Sequence, residues 1–256
     1  MSSTGRGAIR VDNDYYRTPA SATRAILPHL DPPLCVLDPG CGDGAIGAIV
    51  GPHFGVLTIG IEIDERMAER ARRSRDNATG LRHYDTVHCA DYLGGSEGRL
   101  PESGQLIIGN PPFKHAMEFV RRSLELAGPD GTVCMLLRLP WMASKGRASH
   151  HRRHPSDVFV LPVRPSFCWT HTYLLRCGAC RDVVRFVETV ACGVKADHVR
   201  AHSWLAGGGP VVRCPCPTPL THHRTTTSTA DSCDYAWFSH GPGATRRWTV
   251  LAGPKE

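Results

Sequence analysis

Four short, mostly apolar runs in the first 110 residues each lead into a polar side chain at the same point of the pattern. The run over 34–37 is followed by Asp38, that over 56–61 by Glu62, that over 86–90 by Asp91, and that over 105–108, one glycine later, by Asn110. Helical segments separate them: a helix start over 45–50, a charged stretch over 65–73, and a segment over 115–127 that puts Met117, Val120 and Leu124 on one face. Further strand signals follow at 132–137, after the turn Gly128-Pro129-Asp130-Gly131, then at 158–163 and in the aromatic run 235–238. Strand and helix units that alternate at this length predict an α/β fold, a Rossmann-like sheet of seven mostly parallel strands with helices on both faces. Ligands of such open sheets bind at the carboxyl ends of the strands, where the four polar residues stand.

Composition narrows the class. The chain has 256 residues, enough for one sizeable domain with an appendage. Its apolar runs are of strand length, short of the roughly 20 residues a membrane helix needs, so no membrane partner is expected. Residues 1–10 are small, polar and basic with no apolar core, which predicts no secretory leader and a cytoplasmic location. The formal charge of +6 suits a polyanionic partner without requiring one. Eleven cysteines in such a chain read as free thiols or metal ligands rather than a disulfide scaffold. Seven of them crowd between Cys168 and Cys233, among several histidines. The expected organisation is a core over 1–167, a Cys/His-rich insertion over 168–230, and a final strand within 231–256 that completes the core.

The first strand runs into Asp38-Pro39-Gly40-Cys41-Gly42-Asp43-Gly44. Glycines there let the backbone turn sharply and approach a ligand. Glu62, some 20 residues on, is placed to bind both hydroxyls of a ribose. Asp91-Tyr92 offers a carboxylate beside an aromatic face for an adenine. After the fourth strand stands Asn110-Pro111-Pro112-Phe113. With that motif the sequence resembles the class I S-adenosylmethionine-dependent methyltransferases that modify amino nitrogens. The resemblance implies that Asp38, Gly40, Cys41, Gly42, Glu62, Asp91, Tyr92 and Asn110 hold S-adenosylmethionine. It also implies that Asn110, Pro111, Pro112 and Phe113 are the catalytic loop. In that chemistry the Asn110 side-chain oxygen and the Pro111 carbonyl accept the N–H bonds of a delocalised, weakly nucleophilic amine. The target base stacks on Phe113, and catalysis is mostly positioning. No metal is required.

Asp14-Tyr15-Tyr16-Arg17-Thr18-Pro19 is similar to the N-terminal Tyr-x-Thr-Pro motif of DNA adenine methyltransferases of phage and prophage type, which packs beside the cofactor and here implicates Tyr16, Thr18 and Pro19. The implied activity is methyl transfer to adenine N6 in DNA, with the base flipped out of the duplex. Cytosine N4, an RNA base or a protein glutamine are alternative acceptors, and a non-catalytic protein that keeps the fold is another. The insertion departs from the family, which has a short link there. Its cationic excess predicts a role in binding DNA. Cys177-x-x-Cys180 and Cys214-x-Cys216 are candidate zinc ligands whose spacings match no standard zinc module, and a poorly ordered loop is the competing reading. The basic run 145–154 reads as solvated surface or phosphate contact.

Overall fold

The computed structural model describes residues 16–95, 105–165, 168–177, 183–191, 220–229 and 233–252. Their strands are β1 (Cys35–Pro39), β2 (Leu57–Glu62), β3 (Thr86–Cys89), β4 (Gln105–Gly109), β5 (Thr132–Arg138), β6 (Asp157–Val160), β7 (Cys168–Cys177), β8 (Val183–Ala191), β9 (Leu220–Thr229), β10 (Tyr235–His240) and β11 (Trp248–Val250). The helices are α1 (Ala20–Ile26), α2 (Gly47–Phe54), α3 (Glu65–Arg73), α4 (Ala116–Ala127) and α5 (Ala148–Arg153). The chain divides into two units, residues 1–9 with 166–230, and 10–165 with 231–256.

The larger unit is built on one eight-stranded sheet of order β11-β6-β10-β5-β4-β1-β2-β3. All pairs are parallel except those that β10 makes with β5 and β6. The chain moves outward from β1 through β2 to β3, then returns to β4 on the other side of β1. Two neighbouring strands, β1 and β4, therefore leave the sheet toward opposite flanks, and their carboxyl ends bound a crevice. Both faces of the central strands are buried. Leu37, Ile59, Ile61, Ile107, Met135 and Leu137 join Phe119 and Val120 of α4 in one core cluster. The alternate residues Val36, Leu106, Ile108, Leu136 and Trp237 are just as buried. On that second face the Trp237 indole N–H donates to the Ala22 carbonyl of α1 at 3.0 Å. Period-two alternation thus fails to show in these strands because neither face meets water.

Local chemistry sets the helix ends. Asp64 caps α3 by accepting from the Arg66 and Met67 N–H groups, with Glu65 in the first turn and Arg70, Arg72 and Arg73 in the last, which complements the helix dipole. Gly55 ends α2 at a φ of 64°, its N–H on the Gly51 carbonyl.

One expectation is corrected, and two segments take on more detail. The core sheet has eight strands rather than seven, because Trp248–Val250 pairs in parallel with β6 at the edge. Three residues, two of them exposed, leave no apolar run to read. The insertion contains regular structure: β7 pairs antiparallel with both β8 and β9 in a separate three-stranded sheet. Its valines and threonines favour strands, a signal masked in the sequence by the unusual cysteine and histidine content. The basic run 145–154 is only partly solvated. Arg147 donates from Nε to the Trp141 carbonyl at 2.7 Å and lies over the Trp141 ring, while His150 on α5 is 3% exposed.

His150 and His240 share a buried patch with ring centroids 6.1 Å apart, and His154 stacks 4.9 Å from His150. Burial and the neighbouring histidines push both His150 and His240 down to about 4. The unfolded chain therefore binds more protons than the folded one between roughly pH 6.5 and 4, and stability falls as pH drops through that window. At the limit each histidine contributes about 1.4 kcal/mol per pH unit. The Asp38 carboxyl, pushed up to about 7, works in the opposite direction over the same window, so the histidine share is read as a difference. On going from pH 7 to 5, the urea midpoint of the wild-type chain is expected to lose ground relative to that of His240→Gln.

Candidate active site

Asn110 follows the last residue of β4, and its amide is held by the segment that precedes α1. Nδ2 donates to the Tyr16 carbonyl at 3.0 Å and to Thr18 Oγ1 at 3.1 Å. A backbone carbonyl only accepts, so this contact fixes which end of the amide is nitrogen. The other end, Oδ1, is buried and has no hydrogen-bond partner. Thr18 is 3% exposed, and the Pro19 carbonyl that follows accepts from Ala22 and Thr23 to start α1. The Tyr-x-Thr-Pro segment thus sets the orientation of a side chain more than 90 positions away. The Pro112 carbonyl is taken by the His115 N–H in a turn that leads into α4.

Phe113 is not an open face. Tyr16 stacks on it with centroids 5.6 Å apart, Tyr235 is tilted against it at 5.7 Å, and the Arg138 guanidinium lies over the ring at 4.4 Å. Arg138 Nε also donates to the Tyr235 hydroxyl at 3.1 Å. A base that stacks on Phe113 therefore shares the ring with these neighbours.

The glycine-rich loop leaves β1 beside this group. Gly40, Gly42 and Gly44 have φ of 68°, 57° and 88°, the left-handed region where a side chain is costly. The Cys41 N–H donates to the Ile61 carbonyl at 2.9 Å, and Glu62 Oε2 accepts from the Gly42 N–H at 2.8 Å. Glu62 Oε1 accepts from the Asp64 N–H at 2.9 Å. These bonds join the ends of β1 and β2. Burial raises the Glu62 pKa, against the lowering effect of the two N–H groups. Cys41 is buried, and its thiol is pushed well up, so it is not a nucleophile at neutral pH. Arg17 ties the N-terminal segment to the same loop through Asp43 at 2.8 Å.

Asp38 lies at the base of the loop with no exposure. Its Oδ2 accepts from the Tyr84 hydroxyl at 2.6 Å, while Oδ1 is buried without a partner. Burial pushes its pKa up to about 7; the Tyr84 hydrogen bond opposes this, and Glu62 adds to it. Tyr84 was not among the residues that the sequence singled out. Its ring fills a slot left by glycines: a Cβ on Gly44 or Gly60 would lie 3.0 Å from the ring, and one on Gly47 would overlap it. The only sequence signal was the set of glycines themselves, and nothing in it pointed to position 84.

Asp91 stands at the carboxyl end of β3 as expected, its Oδ1 accepting from the Leu93 N–H at 3.0 Å. Tyr92 departs from the expectation. It is 3% exposed, its hydroxyl bonds Ser123 Oγ at 2.8 Å, and its ring packs 5.1 Å from Phe119. The ring belongs to the core rather than to a cofactor face, because the turn at Asp91 points it under α4. Among the zinc candidates, Cys177 ends β7, whereas Cys180, Cys214 and Cys216 lie outside the described residues. Among the described residues no three His, Cys, Asp or Glu side chains are grouped so that they could hold a metal ion. No helix among them is long and apolar enough to cross a membrane.

No family model matches the sequence, and no curated protein does. Among solved structures the chain is similar to a predicted O-methyltransferase from Agrobacterium tumefaciens, at 17% identity and a TM-score of 0.49, over 90% of this chain and 84% of that one. It is also similar to a proposed class I S-adenosylmethionine-dependent methyltransferase from Listeria monocytogenes, at 16% identity and a TM-score of 0.46, over 59% and 57% of the two chains. The plantazolicin methyltransferase BamL, solved with S-adenosylhomocysteine, aligns at 15% identity and a TM-score of 0.35 over 46% of this chain and 43% of its own. The functional reading rests on the residues of the site.

The packing under the glycine loop yields a direct expectation. Gly47→Ala forces the Tyr84 ring out of its slot. Overpacking of this kind costs about 2–3 kcal/mol, and a drop of that size in urea-derived stability is the expected outcome.

Proposed function

We propose that this protein transfers a methyl group from S-adenosylmethionine to an exocyclic amino nitrogen, with adenine N6 in DNA as the acceptor. One observation carries the reading: Asn110 has both amide N–H groups committed to the Tyr16 and Thr18 oxygens, and its buried Oδ1 is left as an unmatched acceptor. A buried acceptor without a partner is costly, and an amino N–H is the donor that satisfies it.

The residues present fit the cofactor. Gly40, Gly42 and Gly44 give three positions without side chains in the loop at the carboxyl end of β1, Asp38 offers a buried carboxylate oxygen without a partner, and Glu62 and Asp91 stand at the ends of β2 and β3. When bound, S-adenosylmethionine supplies a methyl group on a sulfonium, open to in-line displacement. The chain's own contribution is to position and polarise. Asn110 Oδ1 accepts one N–H of the amine and draws its lone pair out of conjugation with the ring as the nitrogen becomes tetrahedral. The Pro111 carbonyl is the second acceptor in this reading, with its backbone stiffened by two consecutive prolines. Tyr16, Phe113 and Tyr235 form the aromatic surroundings for a flipped base, and Arg138 adds a cation beside it. The Tyr16–Thr18 contacts favour a base substrate, because they orient an amide acceptor beside aromatic rings.

The DNA assignment draws on the resemblance of the Tyr-x-Thr-Pro and Asn-Pro-Pro-Phe motifs and on the net charge of +6. The insertion is proposed to serve the nucleic acid rather than the cofactor. Replacing 168–230 by a short Gly/Ser link is expected to leave cofactor binding intact while transfer to DNA falls and its salt dependence flattens. Transfer at the same sites and rate would remove the insertion from the account.

Incubation of plasmid DNA with the protein and S-adenosylmethionine, followed by sequencing that detects modified bases, is expected to find N6-methyladenine. Asn110→Ala is expected to lower kcat at least 100-fold with little change in cofactor affinity, because the lost acceptor acts chiefly in the transition state. Full activity of Asn110→Ala would contradict the reading.

Asp38 adds a pH dependence. Burial pushes its carboxyl up to about 7. A cationic ligand group prefers the carboxylate, so affinity falls as pH drops through 7, approaching about tenfold per pH unit. Calorimetric titration with S-adenosylhomocysteine between pH 8.5 and 5.5 is expected to show that weakening.

A further inference from the structure

We infer that Arg17 is a positioning residue for Asn110: its ion pair with Asp43 ties the segment before α1 to the glycine loop, and so sets the two oxygens that hold the amide. The inference rests on the methyl-transfer reading above. Three consecutive residues divide between the two halves of the site. The Tyr16 carbonyl accepts from Asn110 Nδ2 at 3.0 Å, and Thr18 Oγ1 accepts from the same nitrogen at 3.1 Å. Arg17, between them, donates from Nε to Asp43 Oδ2 at 2.8 Å. Asp43 stands between Gly42 and Gly44, in a loop whose backbone is itself pinned. The Gly42 N–H donates to Glu62 Oε2 at 2.8 Å, and the Gly44 N–H to the Cys41 carbonyl at 2.9 Å. The Gly44 carbonyl in turn accepts from the Ala48 N–H at 3.0 Å, at the start of α2. One end of the ion pair is therefore on a fixed backbone, and the other is on the segment that aims Asn110.

Energetics separate this role from a structural one. The Arg17 side chain is 38% exposed and that of Asp43 15%. An ion pair that open to water adds little to stability, because solvent screens it and the arginine gives up rotamer freedom to make it. What the pair holds is geometry. Pro19 anchors the segment on one side by starting α1, and Arg17 anchors it on the side of the loop. If the segment shifts, the Tyr16 carbonyl and Thr18 Oγ1 move with it, and the buried Oδ1 of Asn110 turns away from the amine. The Tyr16 ring, stacked on Phe113, moves in the same step. A misplacement of about 1 Å at a reacting centre costs on the order of 100-fold in rate. The hydrogen bonds of Gly42 and Gly44 do not involve Arg17, so the cofactor side keeps its shape without it. The loss therefore falls on the chemical step rather than on cofactor binding.

The test is a double-mutant cycle. Methyl transfer to plasmid DNA at saturating S-adenosylmethionine is measured for the wild-type chain, Arg17→Gln, Asp43→Asn and the double variant. Calorimetric affinity for S-adenosylhomocysteine and thermal unfolding are measured alongside. In Arg17→Gln, kcat is expected to fall about tenfold or more, toward the misplacement limit. Its S-adenosylhomocysteine affinity is expected to stay within about threefold of wild type, and its Tm within about 2 °C, as for any half-exposed ion pair. Asp43→Asn is expected to behave alike, and the double variant to fall no further than the worse single one, because both changes remove the same contact. A kcat of Arg17→Gln within about twofold of wild type overturns the proposal, since a misplaced amide costs more than that. So does a loss of S-adenosylhomocysteine affinity as large as the loss of kcat, which would make the pair a prop for the cofactor loop. Multiplicative losses in the double variant overturn it too, because the two residues would then act separately. If Asp43→Asn does not fold, the comparison of kcat with affinity in Arg17→Gln decides alone. An Arg17→Gln chain that does not fold makes the pair a structural element and overturns the proposal. Absence of transfer by a wild-type chain that still binds S-adenosylhomocysteine would instead overturn the reaction proposed above, and the inference with it.

Discussion

The rest of the site depends on the orientation of one amide. Asn110 reaches back to the Tyr16 carbonyl and Thr18 Oγ1, and by committing both N–H groups it turns its oxygen into the one unmatched end. An amide free to flip would offer a donor as often as an acceptor, and would be useless for drawing out the lone pair of an amine. The clamp explains why a short segment before the first helix belongs to the site at all. It also explains how that segment is held: Pro19 starts α1, and Trp237 of β10 fixes α1 through the Ala22 carbonyl. The polar contact at Asn110 is thus supported by the hydrophobic packing of the sheet.

The cofactor side follows a different logic. There the backbone is shaped by glycines, and the charges are arranged by what those glycines leave open. Cys41, Gly42 and Glu62 join the ends of β1 and β2 with hydrogen bonds of 2.8–2.9 Å. Underneath, the Tyr84 ring takes the volume that side chains at Gly44, Gly47 and Gly60 would have filled. Burial first, and then the Glu62 charge, push the Asp38 carboxyl up to about 7.

Much of this was legible in the sequence, and the misses have physical causes. Asp38, Glu62, Asp91 and Asn110 were placed at strand ends by the apolar runs before them, and the charged stretch over 65–73 forms α3 as read. Burial hides the rest. Tyr92 looks like a ligand-facing aromatic beside Asp91, but a turn at Asp91 sends the ring beneath α4, and no local pattern encodes that. Tyr84 lies in a polar stretch, and its partners Gly44, Gly47 and Gly60 are distant in sequence, so the slot exists only in three dimensions. Phe113 was recognised by its motif, while the Arg138 and Tyr235 that surround it come from β5 and β10. The edge strand β11 and the three-stranded sheet of the insertion were hidden by short length and unusual composition.

The central claim concerns which atom of Asn110 faces the substrate. A crystal structure of the protein with a non-reactive cofactor analogue and an adenine-containing oligonucleotide addresses it directly. The account predicts the exocyclic nitrogen about 3 Å from Asn110 Oδ1, with Nδ2 still on Tyr16 and Thr18. A base bound with Asn110 Nδ2 turned toward it, or a base whose amino group lies away from Asn110 altogether, would contradict the account.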